Sequence, residues 1–321
     1  MTARGNLVKA AVASAAIVIG GTGLTGAYAS LIERQNYRLR RFQVPALPPG
    51  RPGLTLLHLS DLHLMPGQRR KIAWLQRLAG QRPDFVVTTG DLVSHPKALP
   101  ALARALGPLA GIPGVFVTGS NDYFGPGPTN PLAYLRERGI TPRSVTLPTP
   151  ALCALLESYG WDNAEEKTLT YDLGGNRVEV RGCGDAHINR DYYNLVAGPV
   201  GAGVDLVIGV THAPYRRVLD AMVADGCGLI LAGHTHGGQV CLPNGRALTT
   251  NCDLPVEQAS GLSGWRYGTA EAALHVGAGL GTSPYAPYRL FCPPEATILH
   301  LTPRPGPSGS DTVGPVRAIG V

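Results

Sequence analysis

Five apolar runs of the sequence are each followed by side chains that can bind a metal ion. The polar residues after these runs are Asp61 and His63, Asp91, Asn121 and Asp122, His212, and His234 and His236. Imidazole nitrogens and carboxylate oxygens are common ligands of transition metals in proteins. Each residue alone has an ordinary explanation as a cap or a turn residue. Five coincidences of this kind predict one shared metal site.

Two of these histidines lie in the segment LILAGHTHGGQ, residues 229–239. Its four apolar residues predict a buried strand, and its glycines predict a turn in which the backbone approaches a ligand closely. On an extended backbone His234 and His236 would point the same way, because side chains of a strand alternate with a period of two. An isolated His-x-His pair is more often incidental, so the prediction depends on the other four runs.

Strands and helices alternate from Leu54 onward, which indicates βαβ units with parallel pairing. In open α/β sheets, ligands bind at the carboxyl ends of the strands, so the polar residues listed above are expected to meet there. The predicted strands cover residues 54–61, 84–91, 114–122, 169–173, 177–182, 205–212, 228–234, 273–278 and 296–301. The predicted helices cover residues 69–78, 98–109, 132–138, 149–159 and 215–224.

The motifs DLH (61–63), GD (90–91), GSND (119–122), TH (211–212) and GHTH (233–236) together resemble the ordered motifs of the calcineurin-like metallophosphoesterases. The resemblance extends from about Leu54 to Leu301. The stretch GAGLGTSPYAPYRLFCPPE (277–295) resembles the membrane-anchored bacterial subgroup. The resemblance implies an α/β fold, a four-layer α/β/β/α sandwich of two mixed sheets, with a binuclear metal site at the strand C-terminal ends.

The resemblance also implies a role for each residue of the motifs. One divalent ion would be bound by Asp61, His63 and His236, and the other by Asn121, His212 and His234. Asp91 would bridge the two ions, so that Asp91 and Asn121 also count as catalytic. Two such ions lower the pKa of a bridging water, whose hydroxide attacks the phosphorus. Mixed imidazole, carboxylate and amide ligands suit Mn, Fe, Zn or Co and do not select among them.

Asp122 departs from the family pattern, because a histidine that assists the leaving group usually follows the asparagine. A carboxylate repels a phosphate unless it is protonated or turned away. Asp122 is therefore a proton donor of raised pKa, a metal contact, or a sign of slow turnover. His187 and His95 are alternative donors, although a surface or structural role is commoner for such histidines. We include His187 among the candidate catalytic residues and predict structural roles for His58, His275 and His300.

The N-terminal region consists of an apolar segment with basic residues on both sides. Residues 10–32 contain no Asp, Glu, Lys or Arg. This segment is either a transmembrane anchor or a signal-like segment. We predict a tail at 1–9, an anchor at 10–32, a basic and Pro-rich linker at 33–53, the catalytic domain at 54–301 and a disordered tail at 302–321. The arginines just after the anchor favour a cytoplasmic domain at the cell membrane over an exported one.

The formal net charge of +6 arises from basic residues near the two ends of the chain. Residues 42–301 hold 20 basic and 20 acidic residues, so no nucleic-acid partner is expected. The six cysteines lack zinc-finger spacing, and Cys241 and Cys252 would pair only in an exported domain. The sequence leaves the oligomeric state open.

Three functions remain open from the sequence. The first is hydrolysis of a phosphomonoester or phosphodiester, with a phospholipid or lipid-linked substrate at the membrane. An irregular insertion at about 123–168 is read either as a lipid-facing cap or as an ordinary surface insertion. The second function is that of a nuclease or nucleotide phosphodiesterase. The third is a non-catalytic metal-binding scaffold, which the replacement of the usual histidine by Asp122 supports.

Overall fold

Two sheets of six strands pack against each other in the computed structural model, which describes residues 23–127 and 145–305. The strands are β1 Arg38–Leu47, β2 Leu54–Leu59, β3 Phe85–Thr88, β4 Gly114–Phe116, β5 Phe124–Gly125, β6 Val145–Thr146, β7 Trp161–Asn163, β8 Lys167–Leu173, β9 Asn176–Gly182, β10 Leu206–Val210, β11 Leu229–Ala232, β12 Gly261–Tyr267, β13 Ala270–Val276 and β14 Glu295–Pro303. The first sheet has the order β1-β14-β2-β3-β4-β7 and the second β12-β13-β11-β10-β9-β8. Strands β5 and β6 form a separate small pair.

Both sheets are mixed. Strands β2, β3, β4 and β7 pair in parallel, and β14 joins β2 antiparallel. In the second sheet β9, β10, β11 and β13 are parallel, and β8 and β12 pair antiparallel at the two edges. Side chains of both sheets, such as Leu56, Val87 and Ile208, fill the space between them. Burial on both faces explains why the central strands are continuous apolar runs.

Helices cover the outer face of each sheet. The α-helices are α1 Arg69–Gln76, α2 Leu99–Leu106, α3 Ser120–Tyr123, α4 Thr149–Glu157 and α5 Arg216–Ala224. Leu75, Leu102 and Leu156 of α1, α2 and α4 pack on the first sheet, and Leu219 and Met222 of α5 pack on the second. This arrangement confirms the predicted α/β/β/α sandwich.

Shorter helical turns link these elements. The 3₁₀ turns are Glu33–Gln35, Arg77–Gln81, Gly107–Leu109, Ala186–Ile188, Tyr193–Leu195, His236–Gly238 and Val256–Gln258, and Tyr28–Ile32 is a π-helix. Within residues 23–127 and 145–305, no helix has the length and apolar character needed to cross a bilayer. Most of the predicted anchor, the predicted helix at 132–138 and nearly all of the predicted tail lie outside these residues.

The predicted linker at 33–53 is wrong where β1 lies. Arg38–Leu47 is an edge strand that pairs in parallel with β14 over its whole length. Phe42 and Val44 are buried whereas Gln43 is exposed, so the segment alternates as a half-buried strand does. An edge position also tolerates Pro45, where the register shifts. The first sheet therefore begins before residue 54.

The predicted irregular insertion at 123–168 is partly regular. Helix α4 packs on the first sheet and β7 extends the edge of that sheet beside β4. Strand β8 begins at Lys167 and forms a hairpin with β9 across Gly174 and Gly175. All six cysteines are free thiols, so Cys241 and Cys252 are not joined.

Candidate metal centre

The loops after strands β2, β3, β4, β10 and β11 converge at one edge of the sandwich. They bring together all seven side chains predicted as ligands, because the carboxyl ends of parallel strands meet at that edge. We call Asp61, His63 and His236 the first half of the cluster, and Asn121, His212 and His234 the second half. Asp91 lies between them.

The first half is compact and buried. Single ligand atoms of Asp61, His63, Asp91 and His236 all lie within 4.8 Å of one another. His63 Nε2 is 3.1 Å from His236 Nε2 and 3.4 Å from Asp91 Oδ2. His236 Nε2 lies 3.6 Å from Asp61 Oδ1. Imidazole and carboxylate ligands at these separations fit a transition-metal ion.

The second half shares the Asp91 carboxylate. His212 Nε2 is 3.6 Å from Asp91 Oδ1, and the Asn121 side-chain amide contacts Asp91 Oδ2. The ring centres of His212 and His234 are 5.2 Å apart. Both rings are buried, whereas Asn121 is half-buried. Asp91 thus contacts both halves.

Hydrogen bonds on the far side of each imidazole fix the nitrogen that faces the cluster. His212 Nδ1 donates to the Thr89 carbonyl at 2.6 Å, and His236 Nδ1 donates to the Gly281 carbonyl at 3.2 Å. In the neutral form of each ring, which metal binding requires, the Nε2 atom then carries the lone pair. His212 Nε2 is buried and has no hydrogen-bond partner in the described part of the chain. An orphaned, inward-facing imidazole nitrogen fits a metal ligand better than a packing residue.

The same logic applies to the other two rings. His63 Nδ1 lies 2.8 Å from the Ser94 hydroxyl, and its Nε2 faces the cluster. His234 Nε2 donates to the Asn251 carbonyl at 3.2 Å, which leaves Nδ1 as the unprotonated atom. All four histidines can therefore offer a lone pair, as metal binding requires.

Burial and charge adjust the protonation of these rings. Burial lowers the pKa of His63 to about 4 and that of His236 well below its usual value, so both are neutral. Burial also lowers the pKa of His212, but the carboxylates of Asp91 and Asp185 outweigh it and raise this pKa to about 9. The cluster therefore favours positive charge between its carboxylates, which a divalent ion would supply.

The backbone at this edge is left-handed at many ligand positions. The φ angles are 49° at Asp61, 41° at His63, 54° at Asp91, 70° at His234 and 51° at His236. The expectation of an extended His-x-His pair is therefore wrong, because both histidines lie in a turn. Left-handed backbone costs energy in non-glycine residues and is concentrated at functional sites.

Gly119 illustrates how closely the loops approach. A Cβ atom at this position would collide with Asp91 Oδ1 and would lie 2.6 Å from His212 Cε1. Only a residue without a side chain lets the β4 loop pass over both ligands.

Asp122 is a structural carboxylate. Its side chain is fully buried, and its Oδ2 accepts from the Asp91 N–H at 2.7 Å and from the Gly119 N–H at 2.9 Å. Its Oδ1 accepts from the Leu92 N–H at 2.7 Å and the Val93 N–H at 3.3 Å. Burial raises the pKa of Asp122, yet a proton on either oxygen would face an N–H donor. Asp122 thus anchors the loop that carries Asp91.

Of the two histidines considered as proton donors, only His187 contacts the predicted ligands. Its ring centre is 4.5 Å from that of His234, and its Nδ1 lies 3.1 Å from the Tyr215 hydroxyl. His187 is half-buried. His95 instead accepts from the Lys97 N–H at 3.0 Å, next to its own position in the chain.

Asp185 was not predicted from the sequence. Its Oδ2 accepts from the Ser120 N–H and its Oδ1 from the His187 N–H, each at 2.8 Å. It therefore fixes the Asn121 loop against the turn that carries His187. The sequence signal for Asp185 is that it follows the end of strand β9, as the other site residues follow the ends of their strands, and precedes His187 by two residues.

Arg289 is a second residue that the sequence did not reveal. Its guanidinium group is completely buried and donates to the carbonyls of Ala278, Gly281 and His236 at 2.7 to 3.3 Å. It joins the loop after β13 to the His236 turn. Its place in SPYAPYRLFCPPE is the only sequence signal.

The three histidines predicted to be structural lie apart from the predicted ligands. His58 Nδ1 and His275 Nδ1 are 2.9 Å apart between the two sheets, and His58 Nε2 contacts the Thr89 hydroxyl at 2.9 Å. His300 Nδ1 lies 3.3 Å from the Thr55 hydroxyl.

A two-sheet sandwich with buried aspartates and histidines at the strand ends defines a class of metal-dependent hydrolases, and comparison with known proteins agrees. The family model for calcineurin-like phosphoesterases matches residues 54–238, more than half of the chain. The protein belongs to this family and is a phosphate-ester hydrolase.

Three relatives align with 61–87% of the chain. An uncharacterized metallophosphoesterase of Aquifex aeolicus is 28% identical over 284 residues, 87% of this chain and 96% of the relative. The uncharacterized protein YpbG of Bacillus subtilis is 25% identical over 252 residues, 77% of this chain and 84% of the relative. A bovine transmembrane protein with a metallophosphoesterase domain is 28% identical over 210 residues, 61% of this chain and 43% of that protein.

Solved structures are more distant. Phosphopantetheinyl hydrolase from Mycobacterium tuberculosis aligns over 84% of this chain and all of its own, at 12% identity and a TM-score of 0.42.

Proposed function

We propose that this protein is a binuclear metallophosphoesterase that hydrolyses a phosphomonoester or phosphodiester. Asp61, His63 and His236 would hold one divalent ion, and Asn121, His212 and His234 the other, with Asp91 between them. The observation that carries the proposal is the convergence of seven ligand-type side chains, one of which, His212, has a buried Nε2 without a hydrogen-bond partner in the described residues. Mn, Fe, Zn and Co all suit this ligand set.

When bound, the two ions would supply a water of lowered pKa and positive charge for the phosphoryl oxygens. The chain itself supplies orientation. Thr89, Ser94 and Gly281 fix the imidazole rings, and Asp122 fixes the loop of Asp91. His187, which lies beside His234 and is half-buried, would give a proton to the leaving oxygen.

We also propose that the substrate is a phospholipid or a lipid-linked phosphate and that the domain acts on the cytoplasmic side of the cell membrane. Two observations support this. The sequence contains an apolar stretch at 10–32, and four arginines follow it between residues 34 and 41. Large apolar side chains at Leu24, Leu31 and Ile32 are exposed in the described part of this segment.

The test is hydrolysis of bis-p-nitrophenyl phosphate, p-nitrophenyl phosphate and phosphatidic acid by the purified chain with each metal added. Asp91→Ala should lose activity by on the order of 10³-fold or more, because both halves lose a ligand. Asp172→Ala, which removes an exposed carboxylate from β8, is the matched control and should keep activity.

Full activity of Asp91→Ala would refute the binuclear mechanism. Absence of turnover with every metal, in a chain that still binds metal, would favour a scaffold. Turnover of the two nitrophenyl esters without turnover of phosphatidic acid would count against that phospholipid as a substrate.

A further inference from the structure

A pocket of about 310 Å³ lies beside the first half of the metal centre, on its outer side. Three separate segments line it. They are the N-terminal segment with Arg34, Gln35 and Tyr37, the start of α1 from Gly67 to Lys71, and the loop of Leu280 to Thr282. A pocket assembled from three distant parts of the chain is a built feature of the fold.

The pocket is lined by four basic residues and no acidic one: Arg34, Arg69, Arg70 and Lys71. None of the four forms an ion pair within the described residues. Glu33 directly precedes Arg34 in the chain, but its carboxylate accepts a hydrogen bond from the Cys292 N–H. Positive charge without a carboxylate partner is costly to bury and attracts an anion.

Two of these basic groups are partly withdrawn from solvent. Lys71 is 3% exposed, and its Nζ donates to the Leu62 carbonyl at 2.7 Å. The Arg34 Nε atom is buried without a partner in the described part of the chain. Burial, together with Arg289 and Arg34, lowers the pKa of Lys71 to about 7. An anion in the pocket would offset each of these costs.

The pocket is distinct from the metal-facing side of the cluster. Gly281 lines it, and the Gly281 carbonyl accepts from His236 Nδ1, the nitrogen opposite the cluster. The first turn of α1 contains three basic residues and no acidic one. Acidic residues are usual in the first turn of a helix, because they interact favourably with the helix dipole. The basic first turn of α1 does the opposite, and a bound anion would stabilise this end of the helix.

Exposed apolar side chains lead into the pocket along the N-terminal segment. Leu24, Tyr28, Leu31 and Ile32 are 75%, 42%, 63% and 59% exposed, directly before Arg34. An apolar stretch followed by a basic pocket matches a lipid, whose acyl chains and phosphate lie in the same order.

We propose that this pocket binds the phosphate headgroup of an anionic membrane lipid, independently of the metal centre. The Arg69 and Arg70 guanidinium groups and the Lys71 ammonium group would contact the phosphate oxygens, as these groups do in charge-assisted hydrogen bonds. The exposed apolar residues of the N-terminal segment would contact the acyl region. The site would hold the domain against the membrane whether or not it hydrolyses a lipid.

The test uses the full chain in EDTA, so that its outcome is separate from that of the hydrolysis assays. Binding is measured by sedimentation with phosphatidylcholine vesicles that contain or lack phosphatidylglycerol. The apolar N-terminal residues contribute in both cases, and the pocket adds a preference for the anionic vesicles. Arg69→Gln/Arg70→Gln should weaken binding to them about tenfold or more, since each basic residue near an anionic surface contributes about fivefold.

Arg77→Gln/Arg104→Gln is the matched control, because it removes the same charge from exposed positions outside the pocket. It should change binding by less than about twofold. Arg34→Gln should also weaken binding to the anionic vesicles, because Arg34 lines the same pocket from a different segment of the chain. Equal losses in the pocket and control variants, or no preference for phosphatidylglycerol, would overturn the proposal. Calorimetric binding of inorganic phosphate that requires Arg69 and Arg70, without any vesicle preference, would assign the pocket to a soluble anion instead.

Discussion

The two halves of the metal centre share one carboxylate but differ in their surroundings. The first half is backed by Ser94 and the buried Arg289. The second half borders the half-buried Asn121 and His187. The first half is therefore enclosed by buried groups, and we expect a substrate to approach the centre from the second half. Strand β2 precedes two ligands of the first half, β4 and β10 each precede one ligand of the second half, and β11 precedes one ligand of each half.

The largest expected effect separates the halves by metal content. His63→Ala and His212→Ala should each lose about one bound ion per chain and lower kcat on the order of 10²- to 10³-fold, because a divalent ion provides several kcal/mol of transition-state stabilisation. Metal analysis of dialysed protein, with assays alongside, measures both. If either variant kept two ions and full turnover, the division into halves would be wrong.

His187 tests whether the second half is the reactive one. His187→Asn should lower kcat about 10²-fold while the metal content stays unchanged, because a proton donor contributes to rate and not to metal affinity. The loss should be greater for phenyl phosphate than for p-nitrophenyl phosphate, whose leaving group needs no proton. His95→Asn removes a histidine outside the cluster and should behave as wild type. Equal losses on both esters would exclude proton donation.

Asp122 tests the support beneath the shared carboxylate. Asp122→Asn should lower the free energy of unfolding by about 3 kcal/mol, because an amide NH₂ would face backbone N–H donors that now bond a carboxylate. Urea unfolding of the metal-free chain measures this, with Asp172→Asn as the exposed control. Unchanged stability of Asp122→Asn, together with a lowered kcat that lacks a fall at high pH shown by the wild type, would instead restore the proton-donor role.

The smallest expected effect concerns the buried His58–His275 pair. Burial lowers the pKa of His58 to about 3, and burial and His58 lower that of His275 well below its usual value. Folded His275 stays neutral while the unfolded residue takes up a proton below pH about 6.5, so its stabilising effect is present at neutral pH and is lost on acidification.

Between pH 6.5 and 5.5 the unfolding free energy of His275→Gln should therefore fall by about 1 kcal/mol less than that of the wild type. Urea unfolding in EDTA at the two pH values measures the difference, with His95→Gln as a control that keeps the wild-type decline. Identical declines in all three proteins would show that the buried pair does not couple to pH.

Much of the fold could be predicted because the central strands are buried on both faces and read as continuous apolar runs. Strand β1 could not, because its arginines and Pro45 resemble a linker and only its pairing with β14 makes it a strand. Strand β12 was missed for a similar reason, since most of its residues are at least partly exposed. Edge strands depend on their neighbour more than on their own composition.

The residues of the candidate site could be predicted from the order of five motifs. The orientation of their side chains and the conformation of their backbone could not. Asp122 follows Asn121 in the chain, yet its carboxylate binds backbone N–H groups. The left-handed backbone at His234 and His236 likewise depends on the loops that surround them. Arg289 had no periodic signal, because it contacts carbonyl groups that lie far apart in the sequence.

The parallel pairing of β1 with β14 also has a kinetic consequence. Arg38 pairs with Glu295, so the first strand of the sheet finds its partner only after most of the chain has been made. At a synthesis rate of ~5–20 residues per second, that delay is on the order of 10–50 s. Loop-closure entropy makes such a distant pairing a late step. Because the segment before β1 lines the basic pocket, that pocket can be completed only when the C-terminal strand of the sheet has joined.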